Sequence, residues 1–259
     1  MGTAMTVGLA GCGGGGDDGT DTATASETDG GMDGTDMSTD TATATPAPTG
    51  NARVAHMSPD APNVDVYVDG DAVLEDVAFG AVSDYLAVPA GEREVEITAA
   101  GDAETSVFSG PVTVEADTNY TVVAAGEISE GADEAFEPLV LTDAFPDVGD
   151  SEAGIRVVHA SPDAPAVDVT TGGGSVVLAD GAAFRDATEY ATAEANDYTV
   201  SVRGDTESND GDVVADFDVS LNGGTVYTAF AAGYLSPDDD PADTAFDLFP
   251  VQDSSSDGM

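Results

Sequence analysis

Arg53-Val54-Ala55-His56-Met57-Ser58-Pro59-Asp60-Ala61-Pro62-Asn63-Val64-Asp65-Val66 returns 103 residues later as Arg156-Val157-Val158-His159-Ala160-Ser161-Pro162-Asp163-Ala164-Pro165-Ala166-Val167-Asp168-Val169. In the first copy Val64, Val66 and Val68 alternate with Asp65, Tyr67 and Asp69, and the run stops at Gly70-Asp71. An apolar period of two describes a strand with one buried face. Upstream, Pro59 in Ser58-Pro59-Asp60-Ala61 fixes its own φ, and Ser58 can bond a backbone amide, which describes a tight turn. Pro62 then holds Ala61 extended into the strand that follows. The stretch therefore reads as strand, turn, strand.

The duplication extends well beyond the motif. Phe79 and Tyr85 answer to Phe184 and Tyr190, Val95 and Ile97 to Val200 and Val202, and Tyr120 to Gly126 answers to Tyr227 to Gly233. The spacing grows by two residues at a time, as small loop insertions between retained elements would produce. This divides the chain into a first repeat at 52-148, a linker at 149-153, a second repeat at 154-253 and a tail at 254-259. Turns carrying Gly and Asp separate short β-branched runs, and no segment holds a 3.6 period. The expected fold is all-β: two tandem sandwiches of seven or so strands each, with one apolar face per sheet and aspartates on the other.

Charge narrows the function. Of 259 residues, 51 are acidic and 5 basic, for a net charge of -46. The basic residues are all arginines (Arg53, Arg93, Arg156, Arg185 and Arg203), and there is no lysine. Nucleic-acid binding needs clustered cations to displace counterions, so it is excluded as a role. Molar salt would relieve the self-repulsion, and a halophilic origin is the expectation. Because 41% of the chain is hydrophobic and grouped into alternating runs after residue 52, an acidic disordered protein is a poorer description.

Met1 to Cys12 is small and apolar and ends in Leu9-Ala10-Gly11-Cys12. This has the form of a lipobox, with a lipidated cysteine as the new N-terminus. The lack of a basic region before it points to a true start upstream of Met1. Residues 13-51, beginning with Gly13 to Gly16 and rich in Thr and Asp, lack the apolar content to fold and are expected to form a disordered tether. The chain is thus expected at the extracytoplasmic face of the cell membrane, held by a lipid on Cys12. Its single cysteine leaves no internal disulfide.

The shared motif, followed by Phe79, Gly80 and Tyr85, resembles the family catalogued as domain of unknown function 4397. That resemblance implies exported β-rich modules of immunoglobulin-like or related sandwich type, often in tandem, and supplies no activity. The second repeat departs from the pattern at Arg185, where the first has Gly80, and at Thr170, where the first has Tyr67.

The chemistry-bearing residues of the motif are Arg53, His56, Ser58, Asp60 and Asp65, with Arg156, His159, Ser161, Asp163 and Asp168 in the second copy. Pro59, Pro62, Pro162 and Pro165 shape the turns. His56, Ser58 and Asp60 could be drawn together as a catalytic triad. Residues so close along one strand diverge, however, and no nucleophile elbow supports the serine. The expectation is a non-enzyme in which His56 is partly buried and bonded to a turn carbonyl, Asp60 or Asp65. Arg53, on the opposite strand face, is expected to form an ion pair inside its own domain. Asp60, Asp65, Asp69 and Asp71, or Asp163 and Asp168, could offer oxygens to a hard cation, but no Asp-x-Asp-x-Asp-Gly loop is present and no metal or cofactor is assigned. Asn119-Tyr120-Thr121 is an N-glycosylation sequon. The expected role is structural or adhesive, through binding of an envelope protein or glycan. The alternative is a solute- or metal-binding lipoprotein serving a transporter, which needs a cleft lined by polar groups.

Overall fold

The computed structural model describes residues 47–255, and Cys12, most of the expected tether and the last four residues lie outside them. The first repeat contains β1 (Thr49–His56), β2 (Val64–Val68), β3 (Asp71–Val77), β4 (Leu86–Pro89), β5 (Gly91–Ala99), β6 (Asp102–Val114), β7 (Asn119–Ala125) and β8 (Glu137–Thr142). The second contains β9 (Glu152–Ala160), β10 (Val167–Thr171), β11 (Val176–Ala182), β12 (Ala191–Glu194), β13 (Asn196–Gly204), β14 (Val213–Leu221), β15 (Thr225–Ala232) and β16 (Asp247–Ser255). The protein is all-β, and each repeat is a sandwich of two four-stranded sheets.

The sheet orders β4-β1-β7-β8 and β3-β2-β5-β6 in the first repeat recur as β12-β9-β15-β16 and β11-β10-β13-β14 in the second. Within the sheets β1 runs parallel to β7, with Arg53 opposite Thr121, and β9 runs parallel to β15, with Arg156 opposite Thr228. The other strand pairs are antiparallel. Local chemistry sets the turns. Asp69 and Gly70 both take positive φ, 53° and 87°, the backbone that a tight β2–β3 hairpin requires and that Asp and Gly tolerate.

The four sheets stack as four layers. Val54 of β1 packs with Val64, Val66 and Ile97 inside the first sandwich. Ile155, Val157, Tyr227, Ala229 and Ala231 pack with Val167, Val169 and Val202 inside the second. A third apolar cluster joins the repeats: Ala55, Met57, Val123 and Ala125 face Val158, Ala160, Phe230 and Ala232. The sheets containing β1 and β9 are therefore inner layers with both faces covered. Every residue of β15 is buried, as is every residue of β9 after Glu152. The expectation of one apolar and one aspartate-bearing face thus holds for neither inner sheet. Strands covered on both sides read as near-continuous apolar runs, and Val226 to Ala232 is one, interrupted by Thr228, whose hydroxyl is hydrogen-bonded to Arg156 and Asp253.

The two sandwich interiors differ. Between the sheets of the first repeat lies a cavity of about 250 Å³, walled by aliphatic side chains except at one end, where Asp69, Asp71 and Arg93 line it. The matching space in the second repeat is about 10 Å³.

Candidate functional site

The duplicated motif lies where β1 leads into β2, and its side chains serve the backbone around it. His56 donates from Nε2 to the Pro62 carbonyl at 3.0 Å and accepts at Nδ1 from the Ser58 amide at 3.4 Å. His159 repeats both contacts, with Pro165 at 3.2 Å and the Ser161 amide at 3.3 Å. One ring nitrogen donates and the other accepts, so this pattern is that of a neutral imidazole. Burial pushes both histidines below their ordinary pKa and outweighs the opposing contact with the proline carbonyl.

The Ser58 hydroxyl donates to the Gly126 carbonyl at 2.5 Å, and Ser161 donates to Gly233 at 2.6 Å. Asp60 accepts from the amides of Ile128 and Ser129, both at 3.0 Å, and Asp163 from Leu235 and Ser236 at 2.9 and 2.8 Å. Asp65 accepts from the amides of Asp76 and Gly101, and Asp168 from Gly181 and Thr206. Pro59, Pro62, Pro162 and Pro165 set the course of the two turns, and the carbonyls of Pro62 and Pro165 are the histidine acceptors. His56 therefore addresses its own turn, while Ser58 and Asp60 address the loop at Gly126 to Ser129; Ser161 Oγ also lies 3.2 Å from Asp163 Oδ1, but in neither copy does a histidine nitrogen meet the serine hydroxyl.

The arginines of the motif do something else. Arg53 donates from Nε to Thr121 Oγ1 at 2.9 Å in its own repeat and pairs through Nη2 with Asp253 of the second. Arg156 donates to Thr228 Oγ1 at 2.9 Å and pairs through Nη2 with Asp143 of the first. The expected ion pair inside one domain is instead an exchange between domains. The reason is the strand face: Arg53 shares it with Ala55 and Met57, which point at the other repeat. Thr121 and Tyr85 each donate to Asp143 Oδ2, at 2.7 and 2.6 Å, and Thr228 and Tyr190 each donate to Asp253 Oδ2 at 2.7 Å. Each guanidinium also lies over the tyrosine ring of its own repeat, at 4.8 Å for Tyr85 and 4.7 Å for Tyr190. Phe145 packs edge-on against both rings.

Two arginines thus meet two aspartates in a buried cluster of zero net charge. Burial, reinforced by the facing carboxylates, raises both tyrosine hydroxyls well above their ordinary pKa, while the arginines act against that rise. Burial acts to lower the Arg53 pKa, but Asp253, with Tyr85 and Asp143 behind it, holds the group above its usual value. Reciprocal contacts of this kind define an approximate two-fold relation between the repeats.

Sequence reasoning missed Thr121, Asp143, Thr228 and Asp253. It paired Tyr85 with Tyr190 but assigned them no role. The available signal was an aspartate closing the last apolar run of each repeat, Leu139 to Asp143 and Leu248 to Asp253.

Further contacts cross the seam. Tyr234 Oη donates to Glu127 Oε1 at 2.9 Å, and Thr244 Oγ1 donates to the Pro59 carbonyl at 2.7 Å. Gly80 has φ of +78°, and a Cβ there would come within 2.6 Å of the Phe249 ring. Its counterpart Arg185 keeps a positive φ of 67° and reaches back across the seam to the Ala135 carbonyl and to Glu137 at 3.6 Å.

Of the aspartates weighed as cation ligands, Asp168 lies with Asp180 and Asp205, with carboxylate oxygens within 4.8 Å of one another. Both Asp168 oxygens already accept backbone amides. Asp60, Asp65 and Asp163 are engaged as described, and Asp69 is paired with Arg93. Asn119 opens β7 with its side-chain carbonyl accepting from Asn51 at 2.8 Å, while the sequon threonine, Thr121, is buried in the polar cluster. Among the described residues no helix is long and apolar enough to cross a membrane.

No curated protein matches the chain. A solved structure, a leucine-rich repeat protein from Bacteroides thetaiotaomicron VPI-5482, aligns with 73% of this chain and 27% of its own length at 12% identity. The TM-score is 0.19, too low to bear on this fold. The sequence model of the family described as Domain of unknown function (DUF4397) matches twice, at residues 50–170 and 153–257. The chain, with its two copies of the histidine- and aspartate-bearing motif, belongs to that family.

Proposed function

We propose that this protein is a non-catalytic surface module: two β-sandwiches fused into one rigid body, tethered to the outer face of the cell membrane by a lipid on Cys12, and presenting their loops to an envelope protein or a glycan. The observation that supports this reading best is the use of the motif. The histidines, serines and aspartates that a hydrolase would need are taken up by backbone amides and carbonyls, and the arginines by ion pairs. Such a site maintains shape and leaves no free nucleophile–base pair. The charge of -46 fits a surface working in strong brine.

The alternative, a solute-binding component of a transporter, calls for a cleft at the junction of the repeats. That junction is filled by Met57, Val123, Phe230 and the buried ion pairs. Crosslinking and pull-down from intact cells at native salt test the choice. Recovery of one abundant envelope component is the expected result, and recovery of a transporter permease overturns it. Intact-mass analysis of protein from its own membranes tests the anchor, for which a diacylglyceryl mass on Cys12 is expected and a free thiol with Met1 to Gly11 retained is the contrary result.

A further inference from the structure

We propose that the inter-sheet cavity of the first repeat is a binding site for an uncharged hydrocarbon group. The cavity measures about 250 Å³ and is walled by Val66, Leu74, Leu86, Val95, Val114 and Val122. An apolar cavity of roughly 150 Å³ stays dry and takes up benzene, so the space here admits a somewhat larger hydrocarbon. Its charged lining consists of Asp69, Asp71 and Arg93. Each guanidinium nitrogen of Arg93 has a partner there: Nη1 pairs with Asp69 at 2.9 Å, Nε donates to the Pro89 carbonyl at 3.0 Å, and Nη2 donates to the Ala90 carbonyl at 2.8 Å. Two carboxylates against one occupied guanidinium repel an anionic head group. Away from those three side chains at its charged end the walls are aliphatic, so the ligand is an uncharged alkyl, isoprenoid or aromatic group.

The second repeat argues that the space is a property of the first and not of the fold. With the same strand order, it closes the equivalent space to about 10 Å³. The side chains lining that remnant include Ile155, Tyr198 and Leu221. By the repeat alignment their counterparts are Ala52, Arg93 and Val114, all lining the open cavity. Two smaller aliphatic residues, and an arginine drawn out to Asp69 where the other copy has an inward-packed tyrosine, leave the first sandwich open.

The test is methyl NMR of the full chain in molar KCl, titrated with toluene. Saturable shifts at the Ala52 and Val114 methyls, with Ile155 and Leu221 unmoved as the internal control, are expected. Octanoate should bind at least tenfold more weakly. The double variant Ala52→Ile/Val114→Leu, which copies the second repeat, should lose toluene binding at least tenfold while melting no lower than the parent. Absence of saturable shifts in the parent, shifts spread equally over both repeats, octanoate binding as tightly as toluene, or binding retained in the filled variant would each overturn the proposal. Should the double variant fail to fold, the parent titration alone decides. Neutral phosphatidylcholine vesicles in place of toluene separate the two sources: the same shifts with vesicles assign a membrane lipid tail, and shifts with toluene alone assign a free small molecule.

Discussion

The seam between the repeats and the interiors of the repeats treat the duplication differently. At the seam each copy does for the other what it receives: Arg53 meets Asp253, Arg156 meets Asp143, and Tyr85 and Tyr190 flank one Phe145. In the interiors the symmetry is lost. One sandwich is packed through Ile155, Leu178, Val200, Val219 and Leu221, and the other leaves about 250 Å³ open. An unfilled void of that size would cost on the order of several kcal/mol if the walls did not relax. A buried reciprocal ion pair cannot lose one partner without stranding the other charge, so the seam is constrained in both copies at once. An interior is constrained only by its own packing, and each copy was free to change.

The largest expected effect comes from breaking the seam. Asp143→Ala leaves Arg156 buried without its carboxylate and should cost about 3–5 kcal/mol. Asp253→Ala, which strands Arg53, should match it closely, and each variant should unfold in a single transition by denaturant titration in molar salt. Unequal losses, or the appearance of a second transition, would break the symmetry argued for the seam. Next comes the filled interior: Ile155→Ala removes a side chain that is 2% exposed and should cost about 2–5 kcal/mol. The reverse change in the first repeat, Ala52→Ile, should be neutral or stabilising by the same measurement. A large loss there would show that the first interior has no room. Smaller again is Gly80→Ala, expected to cost roughly 1–2 kcal/mol because a side chain at φ of +78° is strained and would meet the Phe249 ring.

The most gradual effect is one of pH. Both buried histidines have folded pKa values below the ordinary 6.5, so the stability they contribute is complete above that value. It falls as the pH drops below it, by at most about 1.4 kcal/mol per pH unit for each histidine. The melting temperature should therefore decline below pH 6.5, before the carboxylates titrate, and the double variant His56→Gln/His159→Gln should flatten that slope. His56→Gln should flatten it more than His159→Gln, since the charges of Asp186 and Asp163 oppose the depression at His159 and no such pair acts on His56.

The sandwich architecture was legible because alternation in Val64 to Val68 and in Glu94 to Ala99 is a direct print of a half-buried strand. The inner strands were legible as strands, but their second covered face was not. Tyr120 to Ala125 is merely apolar, and an apolar run does not say what lies on each side of it. The start of β1 was hidden for another reason. Thr49, Gly50 and Asn51 carry no apolar signal; they join the strand by pairing with Pro89, Val88 and Ala87, and Gly50 is glycine because a Cβ there would come within 2.4 Å of the Glu115 carbonyl oxygen. Repetition marks the motif in the sequence, and the carbonyl contact of His56 is among the partners its turn suggests. The carboxylate partner of Arg53 lies 200 residues away in sequence at Asp253, and an aspartate closing a short apolar run does not name the arginine it meets. The cavity was invisible because it depends on volumes summed over seven strands, β1 to β7, not on any one pattern.

The reciprocal seam has a consequence for ancestry and for truncation. A chain made of a single such repeat would carry both an arginine in need of an aspartate and an aspartate in need of an arginine on one apolar face. Two identical copies would satisfy each other about a two-fold axis, so this protein has the anatomy of a homodimer whose subunits became joined end to end. Either half, produced alone, should find itself a twin before it stays in solution as a monomer.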